Sequence, residues 1–379
     1  MKQAIIALLI VSLLIAGCGG KTDNLSGDGV KEPGKATVKI GLTLPLSGDM
    51  SFIGQTMMNG ANLALKNQQE TKYNYELVAE DDKLDPKTTS TTATKLLTVD
   101  NVDAIISISS GTGNVVSPIA ESNKRLHIGA ASDASVAKGE YNFIHWTPPD
   151  EEAKGWVEEA ARRGHKRVAI LMVQQQGFLA MRDSVMKYLP GTGLEIVDEQ
   201  IFSPGEKDFK TMILKAEEKN PDVYLLGAFE PEIPVLYKQL KEAQVKADLT
   251  SIESFELAKD PSQFEGSWYT NAAEGTSAFN EMFKNEYNEN PQMGSPNAYD
   301  MINLVIYAFE KAGKDSSEKP AQEDVIAELM KLKGFDSAMG KIDVGPEGIV
   351  ESKAAVKVIK DGKPIVVTPG EDPVKNEDA

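Results

Sequence analysis

The 379-residue sequence is poor in the groups that carry covalent chemistry. It has one cysteine, so no disulfide can close within the chain. Its three histidines, His127, His145 and His165, are too far apart for metal-ligand spacing. No Gly-x-Ser-x-Gly elbow is present. The turn "GTGNVV" at 111–116 supplies two glycines of a dinucleotide fingerprint but lacks the third, and no Gly-Lys-Ser/Thr follows it. Neither an enzyme nor a cofactor or metal site is expected. Basic charge is also short: 57 acidic residues outnumber 40 basic ones, giving a net charge of −17 spread along the chain. A nucleic-acid surface or a basic membrane-binding face has no support in such a composition.

The one long apolar run, "QAIIALLIVSLLIAG", follows Met1-Lys2. It is too short and too lightly flanked for a stable membrane span but suits an export signal, assigned to residues 1–17. Its end, Leu14-Ile15-Ala16-Gly17-Cys18, resembles the bacterial lipobox, in which small residues admit a peptidase and the cysteine thiol takes a diacylglyceryl group. The alternative for Cys18 is a buried thiol acting as a small hydrophobe. A sole cysteine at this spacing favours lipidation. The following segment, 18–36, is rich in Gly, Asp, Lys and Ser without apolar period, and reads as a flexible tether. More than one acyl chain, each gaining about 0.8 kcal/mol per buried CH₂, would hold the body beside a membrane.

From Val38, short β-branched runs alternate with helical stretches, the pattern of βαβ units and parallel sheets. Strands are expected at "VKIGLTL", "YELVAED", "VDAIISIS", "LHIGA", "RVAILMV", "LEIVDEQI", "DVYLLGAF" and "LTSIES". Helices are expected at Gln55 to Asn67, Pro86 to Val99, Glu151 to Arg163 and Glu206 to Asn220, with Pro86, Pro118, Pro231 and Pro296 near helix starts. The series restarts near Lys166, after "NFIHWTPPDEE", whose paired prolines forbid a helix across the join. The fold class is therefore α/β, with two doubly wound lobes whose strand-end loops share a crevice. The tail should add short strands at "AMGKIDV" and "AAVKVIK", with "DGKP" as a turn.

Groups suited to binding fall at strand ends: "SSGTGN" after "AIISIS", "AASDAS" after "LHIG", "AFEPE" after "DVYLL" and "IESFE" after "DLTS". Each has a plainer alternative. Ser110 and Thr112 could cap a helix beginning near Asn114, and Asp133 could cap a turn through Val136. Glu253 could be a solvated carboxylate, and Phe229 core packing.

In order, "IGLTLPLSGDMSFIGQTMMNGANLAL", "AIISISSGTGNVVSPIAE", "PGEKDFKTMILKAEEKNPDVYLLGAFEPE" and "EGSWYTN" resemble the substrate-binding proteins of branched-chain amino acid ABC transporters, in the type I periplasmic binding protein superfamily. The resemblance implies lobes joined by three crossings, near Trp146, near Tyr269 to Ala273 and near Gly345 to Ser352. One lobe would comprise 37–145 and 274–345, the other 146–273 and 346–379. It implies a ligand-carboxylate loop at Ser109, Ser110 and Thr112, contacts from Ala131, Ser132 and Asp133, and receipt of an ammonium by Glu253. Family members often have a threonine where Asp133 stands, and aromatics where Ile53 and Gln176 stand. Phe229 keeps an aromatic in its loop. The resemblance implies no cofactor. The implied partners are a small amino acid or related metabolite, a membrane permease or else a signalling protein, and the membrane itself. Whether the ligand is branched-chain, polar or amide-like stays open.

Overall fold

The computed structural model describes residues 31–350 and 352–367. The signal at 1–17 and Cys18 lie outside the described residues. Residues 31–36, expected to end the tether, are instead tied to the body: Glu32 N donates to Asn74 Oδ1 at 2.7 Å and Ala36 N to Ser316 O at 2.7 Å.

The first unit runs β1 (Thr37–Leu44), α1 (Ser51–Lys66), β2 (Asn74–Asp81), α2 (Pro86–Thr98), β3 (Ala104–Ile108), α3 (Ser110–Ser122), β4 (Leu126–Ala130) and β5 (Asn142–Ile144). Its strands form one parallel sheet in the order β2-β1-β3-β4-β5. Central strands such as β3 and β4 are buried along their whole length, which is why they read as continuous apolar runs. α1 begins at Ser51, earlier than expected. α3 begins at Ser110, so Pro118 lies inside the helix and not at its start; with no N–H, Pro118 cannot donate to the carbonyl of Asn114.

The second unit continues through α4 (Pro149–Arg162), β6 (Arg167–Val173), α5 (Gln176–Tyr188), β7 (Glu195–Phe202), α6 (Lys210–Glu217), β8 (Val223–Gly227), α7 (Glu232–Glu242), β9 (Asp248–Ile252) and β10 (Trp268–Ala272). The order β7-β6-β8-β9-β10 repeats the winding of the first sheet. α6 is shorter than expected because Glu206 accepts the backbone N–H groups of Lys207 and Asp208 at 2.8 and 3.0 Å, and Asp208 accepts that of Lys210, the first residue of α6, at 3.2 Å.

The chain then returns to the first unit as α8 (Ser277–Tyr287), α9 (Ser295–Ala312) and α10 (Gln322–Leu329). α9 lies against α1 so closely that a Cβ on Gly60 would sit 2.2 Å from the carbonyl oxygen of Ser295. A hairpin of β11 (Phe335–Ser337) and β12 (Gly340–Ile342) follows, so the strand expected at "AMGKIDV" is confined to its middle. β13 (Ala354–Lys360) and β14 (Lys363–Val366) finish the second sheet, β13 running antiparallel to β10. The connecting segments meet side by side: Ile144 bridges to Ile349, and Ala273 N donates to Lys353 O at 3.0 Å.

Candidate functional site

In both sheets the winding reverses at the first strand, between β1 and β3 and between β6 and β8. Crevices open at the carboxyl ends of strands at such reversals. The two crevices face each other across a partly open cleft lined from both sheets, the kind of place where small-molecule sites form. It is bordered by the loops after β1, β3, β4, β6, β8 and β9 and by Trp146, which sits between β5 and α4.

The floor on the first sheet is the start of α3. Ser109 turns the chain there with φ +72°, and its Oγ accepts the Thr112 N–H at 3.3 Å. Ser110 Oγ accepts from the N–H groups of Ser132 at 3.2 Å and Asp133 at 3.0 Å, which pins the loop after β4 beside the helix end. The free N–H groups and macrodipole of that end favour an anion. A second helix start, at α5, brings Gln175 and Gly177 to the same cavity. A Cβ on Gly177 would lie 3.1 Å from Ser110 Oγ, so the two helix ends are nearly in contact.

Opposite them Glu253, in the left-handed region at φ +61°, follows β9. Its carboxyl takes the Trp146 indole N–H at 2.5 Å and the Ser132 hydroxyl at 3.4 Å. Burial pushes its pKa up to about 7, against the lowering effect of the Trp146 bond. No lysine or arginine lines the cavity among the described residues. The walls are mainly apolar, with Met50, Ile53, Phe178, Met181, Phe229 and Leu257. Phe178 and Phe229 pack with centroids 4.9 Å apart and planes tilted 60°.

The structure thus brings Ile53, Ser109, Ser110, Ala131, Ser132, Phe229 and Glu253 to the cavity. It does not bring Thr112, Asp133 or Gln176. Thr112 is buried and turns its hydroxyl onto the carbonyl of Ile108 in its own helix turn. Asp133 caps the short turn at 134–137, accepting from Ser135 N at 2.9 Å and Asn114 Nδ2 at 2.9 Å. Burial raises its pKa, but these bonds outweigh it and hold the carboxyl below its usual range. Gln176 lies across from Gly111, whose Cβ position is 3.5 Å from its Oε1, while its neighbours Gln175 and Gly177 face inward.

The sequence of these loops is matched by a family model over residues 37–363, described as periplasmic binding protein. The chain belongs to the type I periplasmic binding protein family. Among members of this family, a Leu/Ile/Val-binding protein of Rhizobium johnstonii is 24% identical over 338 residues, covering 84% of this chain and 90% of its own. A leucine binding protein of Thermotoga maritima superposes with a TM-score of 0.80 at 21% identity, covering 87% of this chain and 98% of its own. A solute binding protein of an R. palustris ABC transporter, solved in complex with benzoate, does so at 0.78 and 16% identity, covering 88% and 96%. At these identities the superpositions show the two-lobed family fold.

Trp146, Phe178 and Met181 were missed as lining residues. Phe178 and Met181 had a signal, since they fall three apart on a helix that starts at the cleft.

Proposed function

We propose that this family member is the extracytoplasmic receptor of an ABC importer, lipid-anchored through Cys18, that binds a small amino acid with an apolar side chain and delivers it to a membrane permease. The ligand would lie between one lobe of residues 37–145 and 274–345 and another of 146–273 and 346–379. The observation that carries the reading is the α3 start facing the Glu253 carboxyl across an apolar cavity. A helix end suits the carboxylate of a zwitterion and Glu253 its ammonium, while Phe229, Phe178 and Ile53 suit an apolar side chain. The names of the relatives, which are leucine, isoleucine and valine binders, support the same class.

Within that class the polarity differs from the one expected. With Asp133 occupied at its own turn, Glu253 alone would receive the ammonium, and the carboxylate would meet backbone N–H groups of α3 more than the Thr112 hydroxyl. A second reading, an aryl carboxylate, is favoured by the tilted Phe178–Phe229 pair and by the benzoate complex of the R. palustris protein. A thermal-shift screen over amino acids and aryl carboxylates separates the two. A ligand at a hundred times its Kd adds about 2.7 kcal/mol to stability. Stabilisation by benzoate-like acids and by no amino acid would reject the amino-acid reading.

A further inference from the structure

α4 carries a carboxyl below the cavity to which the proposed function gives no task. Glu152, in the first turn of α4, is fully buried, and neither carboxyl oxygen has a hydrogen-bond donor among the described residues. Thr270 of β10 joins this turn to Glu253: its hydroxyl donates to the Glu152 backbone carbonyl at 3.0 Å and its own carbonyl accepts the Glu253 N–H at 2.8 Å, so the two buried glutamates are neighbours and the Glu253 carboxyl acts on Glu152. The cation acting on Glu152 is Lys357 on β13, but its Nζ is bound to Glu256 Oε1 at 2.8 Å, as is the Tyr269 hydroxyl of β10 at 2.8 Å. The other groups packed on α4 are also engaged elsewhere: Ser184 and Lys187 of α5 are both bonded to Asp150.

Two ionised carboxylates held together away from water repel strongly, whereas one proton between them makes a charge-assisted O–H···O⁻ bond. We propose that Glu152 is held as a carboxylic acid whose O–H donates to Glu253, so that Glu253 presents one oriented carboxylate to the cavity and selects ligands that bear an ammonium group. Glu152 is a positioning residue acting through Glu253, and the inference rests on the reading of this cavity as the ligand site. Burial and the negative charge of Glu253 both raise the pKa of Glu152 well above the carboxylate range, in keeping with a retained proton. When Glu253 begins protonated, capture of an ammonium releases that proton to solvent and leaves the proton of Glu152 in place. Affinity for an ammonium ligand therefore rises as pH rises through about 7.

Infrared spectroscopy of the whole mature protein tests the proton directly. At about pH 8.5, where an ordinary carboxyl is ionised, the wild type should show a carboxylic-acid C=O band that is lost in Glu152→Gln. Absence of the band in the wild type, or its persistence in Glu152→Gln, overturns the proposal. L-leucine and 4-methylpentanoate, which lacks the amine, then probe selectivity by calorimetry. Glu152→Gln keeps an N–H donor to Glu253 and should bind leucine within about threefold of wild type. Glu152→Leu removes the donor and should bind leucine about 10- to 100-fold more weakly at neutral pH, with the midpoint of its pH profile moved upward and no loss toward 4-methylpentanoate. Equal weakening by both variants at every pH marks a merely structural role and overturns the proposal. Should Glu152→Leu fail to fold, the infrared comparison with Glu152→Gln decides. If the band behaves as stated and neither probe binds the wild type, the proton assignment stands and it is the amino-acid reading that fails.

Discussion

Trp146 Nε1 donates to Glu253 Oε1 at 2.5 Å, so a residue leaving the first sheet fixes the carboxyl that follows β9 of the second. Phenylalanine at 146 keeps an aromatic wall and removes the donor. Because a hydrogen bond to a charged group contributes about 1.5 to 3 kcal/mol, Trp146→Phe should weaken an amino-acid ligand by about 10- to 100-fold. Calorimetry at neutral pH checks this; unchanged affinity would mean that Glu253 is held without the Trp146 donor, by the Ser132 hydroxyl and the O–H proposed for Glu152.

Gly177 offers a second test, of how close the lobes must come. Its missing Cβ leaves 3.1 Å to Ser110 Oγ on the opposite helix end. The branched side chain in Gly177→Val should hold the α3 and α5 ends apart, lowering affinity by about tenfold or more through lost closure. Small-angle scattering with saturating ligand should show a larger radius of gyration than for wild type, and equal radii would argue against contact between these ends in the bound form.

Asp133 was expected beside the ligand, and its position as a cap separates two effects. Asp133→Ala should lower stability by about 1 kcal/mol in chemical unfolding while changing ligand affinity by less than about threefold. A large affinity loss without loss of stability would restore it to the site.

His127 predicts an acid dependence. It is fully buried, accepting the Ser107 hydroxyl at Nε2 (2.8 Å) and donating from Nδ1 to Asn142 Oδ1 (2.9 Å). The tautomer follows because the Asn142 amide nitrogen is used on Glu121 and Lys138. Burial lowers its pKa from 6.5 to about 4, against a small raising effect of Asn142. The unfolded chain therefore takes up a proton that the folded one refuses, so this contribution is whole above about pH 6.5 and is lost as pH falls toward 4. Comparing His127→Gln with wild type, the stability difference should shift by about 3 kcal/mol between pH 7 and pH 4. Parallel pH curves would show that the histidine does not titrate in this way.

Cys18→Ser should leave the exported protein off the membrane or with its signal uncleaved, by fractionation and mass spectrometry of the N-terminus. A processed, membrane-bound variant would disprove lipidation at this residue.

The parallel sheets were legible because burial on both faces forces unbroken aliphatic runs; "LHIGA" coincides with β4. The cleft loops were legible because polar residues after such runs have few structural reasons to be there. What was not legible was which way a polar group turns once the loop exists. Ser110 lines the cavity, but the sequence did not show that its hydroxyl oxygen also accepts the Ser132 and Asp133 N–H groups while its O–H stays free to donate. Asp150, Glu151 and Glu152 are consecutive acidic residues in sequence, but only Glu152 is buried, because α4 packs that face on β9, β10 and β13. Such distinctions depend on tertiary contacts between residues about a hundred positions apart, as Glu152 and Glu253 are.

The path of the chain between the units also constrains when each can form. The first sheet is complete at Ile144, but Met301, Ile302 and Val305 of α9 belong to its core and come after all five parallel strands of the second sheet. That second sheet in turn waits for β13 and β14, which end at Val366. Neither half can bury its full apolar surface while the chain is still emerging, and pairings of such long sequence separation form slowly. A polypeptide wired in this way stays open to a translocation channel until nearly its last residues, and must complete both halves together on the far side.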